Sequence, residues 1–320
     1  MKRFVFQFCI WISIAFVLAV VADYIITTGL KKTDIRKYST WNDIYKGGLD
    51  ADLLVLGSSQ AWCGYNTFIL DSVLNLNSYN LGFDGHPLDY QIIRYNTYRR
   101  FSSKPKAILI NTVFLGTLGV TADEQYEREQ FFPYITDDTL ISSVADVKKI
   151  TWFDRNLPLY RYFGYREDFE NGISSFFGKT QFFYGGMHKG FNSKNDKWNQ
   201  GSVLPKDTLI TISIADKSEA VCMLDSFTRE SCQEGIKVVF VKSPIYYPLR
   251  AKFYNIGQVD SIYESISQKY GIPILDYSHS TITMDSSYFV NPTHLNTKGA
   301  EAFTFMLCHD LDSIGIQKWL

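Results

Sequence analysis

The segment that decides the fold runs Asp52-Leu53-Leu54-Val55-Leu56-Gly57-Ser58-Ser59-Gln60. Its first half is a short apolar run, which is typical of a buried strand, and it ends in a glycine and two serines. A strand that runs into such a turn presents a hydroxyl group at the carboxyl edge of a sheet, where α/β proteins bind their ligands. The segment therefore predicts a buried strand with a candidate functional serine directly after it.

Outward from this segment, apolar runs alternate with helical patterns. Strands are predicted at Leu53–Leu56, Ser78–Leu81, Ala107–Val113, Val238–Lys242 and Pro273–Leu275. Helices are predicted at Asn66–Leu74, Leu88–Phe101, Ser218–Glu234 and Val259–Tyr270, followed by a last helix with apolar residues from Ala300 to Leu311. This alternation predicts a three-layer α/β fold, a doubly wound parallel sheet with helices on both faces.

The region from about 115 to 217 interrupts this alternation and is rich in aromatic residues and glycine. It contains the runs Tyr160-Arg161-Tyr162-Phe163-Gly164-Tyr165-Arg166 and Phe182-Phe183-Tyr184-Gly185-Gly186-Met187-His188-Lys189-Gly190. Structureless loops of this length are uncommon, which predicts an insertion or lid with some helix of its own. Its rings either form a small core within the insertion, or stack on a sugar ring or line an acyl pocket.

The N-terminus predicts a membrane anchor over residues 1–30. Residues 4–22 carry no charge, and a helix of about 19 residues at ~1.5 Å each nearly matches a hydrocarbon core of ~30 Å. The run exceeds the ~7–15 apolar residues of a signal peptide, which favours an uncleaved anchor. The alternative is cleavage after Val20-Val21-Ala22, which would leave a secreted or periplasmic protein.

The domain organisation follows from these features. Residues 1–30 are the anchor, residues 31–50 a polar juxtamembrane connector, and residues 51–320 an α/β domain with its insertion at about 115–217. Basic residues flank the apolar segment on both sides and do not settle its orientation. We expect a single-pass protein of the cytoplasmic (inner) membrane with an extracytoplasmic C-terminal domain.

Composition indicates neither a nucleic-acid partner nor a metal or cofactor. The net charge is −1, from 32 Lys and Arg against 33 Asp and Glu, which does not favour nucleic acid. The five cysteines form no CxxC motif and no metal-ligand spacing. A Cys222–Cys232 disulfide stays open, because sequence does not show proximity.

A histidine near the end of the chain complements the serine near its start. His294 lies in the polar loop Asn291-Pro292-Thr293-His294-Leu295-Asn296, just before the last helix. Serine is a weak nucleophile until a base takes its proton, and histidine has a suitable pKa for that base. The attack also needs donors for an oxyanion, and glycines that allow close backbone approach follow the second strand in Asn80-Leu81-Gly82-Phe83-Asp84-Gly85-His86.

Together and in this order, these blocks resemble the SGNH (GDSL-like) hydrolase superfamily, whose fold is flavodoxin-like. The resemblance covers residues 51–114 and 235–310 and implies Ser59 as nucleophile and His294 as base. It also implies an oxyanion hole from the Ser59 and Gly85 backbone, with Gly82 as the next match and Asn111 in the place of the family's asparagine. Asn291 stands where the family has its acidic residue.

The chain departs from the family at two positions. An amide at Asn291 accepts the imidazole N–H but carries no charge to stabilise imidazolium, so Asp276, Asp285 or Asp84 would have to supply a carboxylate, or the site is a Ser–His dyad. Asn111 lies early along its strand for an oxyanion residue. His86 and His188 are further candidate site residues, with structural or surface roles favoured for both.

Two functions are consistent with these residues. The first is an extracytoplasmic serine esterase or O-acyltransferase that forms a Ser59 acyl-enzyme, with envelope or extracellular polysaccharide, an acylated saccharide or another small ester as its substrate. The second is a catalytically inactive SGNH-fold binding or assembly protein of the cell envelope, with envelope polysaccharide assembly proteins as partners, since fold alone does not fix function. A Ser59 Oγ within reach of His294, with a carboxylate or carbonyl behind the ring, would favour the enzyme.

Overall fold

The computed structural model describes residues 1–112, 127–145, 149–179, 187–195, 198, 209–210 and 217–319. The chain divides into two compact units. Unit 1 comprises Met1–Tyr45 and Asp123–Tyr184, and unit 2 comprises Lys46–Ala122 and Gly185–Leu320. This division differs from the expected anchor, connector and single interrupted domain, because residues of the anchor and connector pack with part of the predicted insertion.

The helices in the described residues are α1 (Lys2–Leu30), α2 (Arg36–Lys46), α3 (Ser59–Gly64), α4 (Thr67–Leu74), α5 (Leu88–Phe101), α6 (Asp138–Val144), α7 (Trp152–Asn156), α8 (Arg166–Phe176), α9 (Lys217–Gln233), α10 (Tyr247–Arg250), α11 (Ile256–Tyr270) and α12 (Thr297–Ser313). The strands are β1 (Leu53–Leu56), β2 (Ser78–Asn80), β3 (Ala107–Asn111), β4 (Met187–His188), β5 (Phe191–Asn192), β6 (Lys237–Lys242), β7 (Ile274–Asp276), β8 (Phe289–Asn291) and β9 (His294–Leu295).

Unit 2 is built on a five-stranded parallel sheet in the order β2-β1-β3-β6-β7. The predicted α/β class and parallel sheet are confirmed. All five predicted strands are present within one or two residues of their expected bounds, apart from Val113, which lies outside the described residues. The chain moves from β1 outward to β2 and then across to β3, so the strand order reverses beside β1, where such sheets bind ligands.

Helices cover both faces of this sheet. Leu53 and Val55 of β1 face a core shared with α12 residues such as Phe303, and on β6 the Phe240 ring packs edge-on against Tyr263 of α11 at 5.4 Å. Side chains alternate between the two faces along a strand, so β1, β2 and β3, which are buried at every position, are covered on both sides, whereas the edge strand β7 is only partly buried. Cys222 and Cys232 are free thiols in unit 2, so the disulfide left open by the sequence is not formed.

Unit 1 joins the end of the N-terminal helix to part of the aromatic-rich region. Its core contains Ile26 and Leu30 of α1 together with Ile35, Phe132 and Tyr162. Helices α1 and α8 pack closely at two glycines, because a Cβ on Gly29 would lie 1.7 Å from the carbonyl oxygen of Gly172. The run Phe182–Gly186 of the predicted insertion lies outside the described residues.

Helix α1 is long and apolar enough to span a membrane. It is longer than the predicted span, and its two ends differ. The side chains up to Leu18 are exposed, whereas Ile26, Gly29 and Leu30 are buried. The buried residues lie beyond the predicted span of residues 4–22, so the last two turns of the helix are part of the unit 1 core.

Candidate active site

The turn after β1 places Ser59 at the first position of α3, at the carboxyl edge of the sheet. Gly57 makes this turn sterically feasible, because a Cβ there would lie 2.4 Å from the Cβ of Ala61 and 2.8 Å from that of Asn111. The N-cap residue Ser58 forms no side-chain capping hydrogen bond. The N–H of Ser59 has no acceptor within the helix, as is general for the first turn.

His294 comes to Ser59 from the other end of the chain. It lies in β9, which pairs with β8 just before α12, and the Asn296 side chain caps α12 by accepting the Gly299 N–H at 2.9 Å. The His294 Nε2 atom is 2.6 Å from the Ser59 Oγ atom. The two residues are 235 positions apart in sequence, yet they form the hydrogen bond that a nucleophile and its general base require.

Asn291 lies behind the imidazole ring. Its Oδ1 atom is 2.9 Å from His294 Nδ1, and it also accepts the backbone N–H groups of Thr293 and His294, each at 3.0 Å. The Thr293 hydroxyl donates to the same oxygen at 3.0 Å. Because two backbone donors point at this atom, it must be the amide oxygen and not the nitrogen. An oxygen can only accept, so Nδ1 carries the ring proton and Nε2 is free to accept from Ser59.

The pKa of His294 is lowered from 6.5 to about 4. Burial is the main cause, since it disfavours the charged ring, and the nearby Lys194 ammonium lowers the pKa further, while Asp84 raises it. His294 is therefore a neutral base at neutral pH. An imidazolium formed during a reaction would have an amide, and not a carboxylate, as its hydrogen-bond partner.

The carboxylates considered as substitutes for the missing acid have different partners. Asp276 is 3.0 Å from the Lys242 ammonium and accepts the Ser278 N–H. Asp285 caps a turn by accepting the Ser287 N–H. Asp84 acts on the pKa of His294 through space. Within the described residues, the hydrogen-bond partners of His294 Nδ1 are Asn291 and Thr293, so of the open alternatives neither Asp276 nor Asp285 orients the ring.

The predicted oxyanion residues differ in what they contact. The Gly82 N–H donates to Asn80 Oδ1 at 2.9 Å, so this N–H already has an acceptor. Gly82 also packs closely against the Trp62 backbone of α3. Gly85 is exposed with φ +64°, and its N–H has no acceptor in the part of the chain that the structure describes. Asn111 ends β3, is buried, and accepts the Ser243 hydroxyl at 3.1 Å.

The two further histidines lie in surroundings that fit other roles. His86 is buried among Phe83 and Tyr90, with its Nδ1 atom 2.8 Å from the Asp84 carbonyl oxygen. His188 is exposed, and its ring packs edge-on against Phe68.

Three neighbours of the site carried no distinctive sequence signal. Gln60 donates from Nε2 to the Thr293 carbonyl oxygen at 2.9 Å, which ties α3 to the histidine loop. The Thr293 hydroxyl is one of the donors to Asn291 Oδ1. The Lys194 ammonium lies 5.5 Å from the centre of the Trp62 ring. Gln60 and Thr293 are next to the predicted residues Ser59 and His294 in the sequence, and that position could have indicated them. Lys194 lies in the aromatic-rich region, and only the fold brings it close to the site. No cluster of metal-ligating side chains occurs among the described residues.

Comparisons with known proteins do not place this chain in a family. No protein-family model matches it, and no curated protein matches its sequence. The features that bear on the class of this protein are its parallel sheet, the turn after β1 and the Ser59–His294–Asn291 arrangement.

Proposed function

We propose that this protein is an SGNH-type serine esterase or O-acyltransferase, and that Ser59 forms the acyl-enzyme. The observation that carries the proposal is the hydrogen-bonded chain from Ser59 Oγ to His294 Nε2 and from His294 Nδ1 to Asn291 Oδ1. The strand order β2-β1-β3-β6-β7, with Ser59 after β1 and His294 before the last long helix, supports the SGNH variant of the doubly wound fold.

The proposed reaction has two steps. His294 Nε2 takes the Ser59 proton as Oγ attacks the ester carbonyl, and the backbone N–H groups of Ser59 and Gly85 stabilise the oxyanion. The ring then gives the proton to the leaving alcohol, and an acyl-serine ester remains. In the second step, water or a sugar hydroxyl loses its proton to His294 as its oxygen attacks the acyl-serine carbonyl. The ring then returns that proton to Ser59 Oγ as the acid or the new ester is released.

The proposed location is the cytoplasmic membrane, with α1 as an uncleaved single-pass anchor and the C-terminal domain outside the cytoplasm. The burial of Ile26 and Leu30 in unit 1 supports retention of the helix, because cleavage after Ala22 would separate the apolar run from a helix that continues into the core. An anchored esterase of this kind fits acylated envelope or extracellular polysaccharide as its substrate.

Covalent labelling by a fluorophosphonate tests the proposal without knowledge of the substrate. We expect one label per chain by intact mass, no label in Ser59→Ala, and much slower labelling in His294→Ala. Ser58→Ala is the matched control, because Ser58 adjoins the nucleophile but makes no hydrogen bond to the ring, so its labelling should persist.

Two outcomes would contradict the enzyme. Unchanged labelling in Ser59→Ala would remove the nucleophile assignment. A folded wild-type protein without any label would favour the catalytically inactive SGNH-fold binding or assembly protein. For a protein that labels at Ser59, hydrolase and transferase are separated by supplying an acyl ester with and without a sugar acceptor and analysing the products.

A further inference from the structure

Unit 1 carries a cluster of exposed aromatic side chains on and just after α7. Trp152, Phe153 and Tyr160 are 64%, 50% and 48% exposed, and we call them the aromatic patch. The Trp152 and Phe153 ring centres are 5.4 Å apart, and those of Phe153 and Tyr160 are 5.6 Å apart. Large rings that contact each other and still face solvent indicate a surface that binds something apolar.

The aromatic patch is attached to α1 at a defined level. The N–H of Leu159 donates to Asp23 Oδ1 at 2.8 Å, and the Arg161 guanidinium donates to Asp23 Oδ2 and, at 2.9 Å, to Thr27 Oγ1. Leu159 and Arg161 are the two chain neighbours of Tyr160. Asp23 is the first charged residue after Arg3. The patch is thus held at the point where the uncharged part of α1 ends.

The level of Asp23 along α1 is the level at which a spanning helix would leave the hydrocarbon core. The uncharged residues 4–22 match the thickness of a core of ~30 Å. Tryptophan and tyrosine are enriched where the acyl chains meet the headgroups, because their rings are apolar and their N–H and O–H groups reach water. The patch therefore lies at the level where the proposed span ends, and it contains the residue types that are enriched at that level of a membrane.

From this coincidence we infer that the aromatic patch inserts into the interfacial layer of the same phospholipid bilayer that α1 spans. The inference rests on the proposed membrane anchoring and adds a second contact to it. One spanning helix alone leaves unit 1 free to tilt and rotate together with the helix in the bilayer. A patch of three rings beside the helix, joined to it through Asp23 and Arg161, fixes that orientation against the membrane surface.

The test uses the full chain in phospholipid nanodiscs and measures quenching of tryptophan fluorescence by brominated lipids. The bromines are placed either near the carbonyl ends or near the methyl ends of the acyl chains. Trp11 lies within the proposed span and reports on it, and Trp152 reports on the patch. Three variants separate them: Trp152→Phe keeps Trp11, Trp11→Phe keeps Trp152, and the double variant keeps neither.

We expect Trp11→Phe to be quenched more than the double variant, and most strongly by bromines near the carbonyl ends. The control adds Ser142→Trp to the double variant. Ser142 is exposed on α6. This helix begins next to Asp137, which is hydrogen-bonded to Tyr45 at the end of α2, and α2 follows the proposed span in the chain. The added tryptophan should not increase the quenching.

Failure of the inference is distinguishable from failure of the anchor. If Trp11→Phe and the double variant are quenched equally while Trp152→Phe is quenched more, α1 spans the bilayer but the patch does not touch it. That result would overturn the inference and assign the patch to a protein surface or a second copy of this chain. If no variant exceeds the double variant, the anchor and the inference both fail.

Discussion

The amide of Asn291 decides what kind of base His294 is. Its oxygen has the same acceptor role toward the ring as a carboxylate, so the reactive tautomer is held in place. In a serine protease, an asparagine in place of the triad aspartate holds the wrong tautomer and costs about 10⁴ in kcat. That fault does not arise here, because the backbone donors of Thr293 and His294 orient the amide. What the amide lacks is charge.

For the proposed serine esterase or acyltransferase, restoring that charge should accelerate the reaction. In Asn291→Asp a carboxylate would keep the two backbone donors and would raise the pKa of His294. Each pKa unit corresponds to about 1.4 kcal/mol of imidazolium stabilisation, or about tenfold in rate. The gain should be in kcat and not in KM, because the imidazolium forms in the transition state. The measurement is ester turnover beside the labelling rate; a decrease in both would mean that another carboxylate already serves the ring.

The pH dependence should reveal the neutral base. His294 is the base only when unprotonated, so the labelling rate should stay level on acidification below pH 6.5 and fall near pH 4. The free energy of unfolding should also decrease on acidification. The unfolded ring takes up a proton near pH 6.5 and the folded ring only near 4, so stability is lost as the pH falls through this window. An acid limb near pH 6.5 would contradict the lowered pKa, and Asn291→Asp should move the limb upward.

At the scale of elements, the turn from β1 into α3 places Ser59, the proposed nucleophile. The turn is tight because a Cβ added at Gly57 would lie within 3 Å of the Cβ atoms of both Ala61 and Asn111. The turn therefore couples the strand, the helix and the end of β3 in one packing contact.

Gly57→Ala should displace Ser59 from His294. Overpacking of this kind costs about 1–3 kcal/mol, and we expect a lower melting temperature together with at least a tenfold slower labelling. Gly257→Ala is the matched control, since nothing lies within 4 Å of a Cβ at Gly257 on α11. That variant should label normally and melt at the same or a higher temperature. Equal behaviour of the two variants would show that the turn tolerates a side chain.

The elements of unit 2 could be predicted because each is specified locally. β1 and β6 are short apolar runs bounded by polar or glycine positions, and α5 and α11 show helical spacing. The pairing of Ser59 with His294 was also predictable, because both residues lie at the ends of elements that meet at one sheet edge. The partners of Asp276 and Asp285 were not predictable, because they depend on side-chain positions that only the folded loops define.

At the scale of the whole molecule, the sequence did not predict that the N-terminal helix has two environments. From Phe4 to Leu30 it is apolar apart from Gln7, Asp23 and a few hydroxyl residues, and although Asp23 marks the end of the uncharged run, nothing local predicts that the residues after it enter a protein core. The partners of the second part, such as Phe132 and Tyr162, come from a region 100 or more positions later. Unit 1 is therefore a product of long-range packing.

Two truncations separate these roles of α1. A chain that starts at Asp23 keeps Ile26, Gly29 and Leu30 and loses only the proposed span, so unit 1 should stay folded. A chain that starts at Lys31 loses two fully buried side chains, Ile26 and Leu30. Their burial is worth roughly 1.5–3 kcal/mol each, and the partners of Arg161 on α1 are lost as well.

We therefore expect limited proteolysis to cleave the Lys31 chain within residues 127–179 at protease concentrations that leave the Asp23 chain intact. Unit 2 has its own core around the parallel sheet, so serine labelling should be retained in both chains and serves as the internal control for folding. Equal protease resistance of the two chains would contradict a structural role for the end of α1. Loss of labelling in the Lys31 chain alone would show that unit 2 depends on unit 1 to fold.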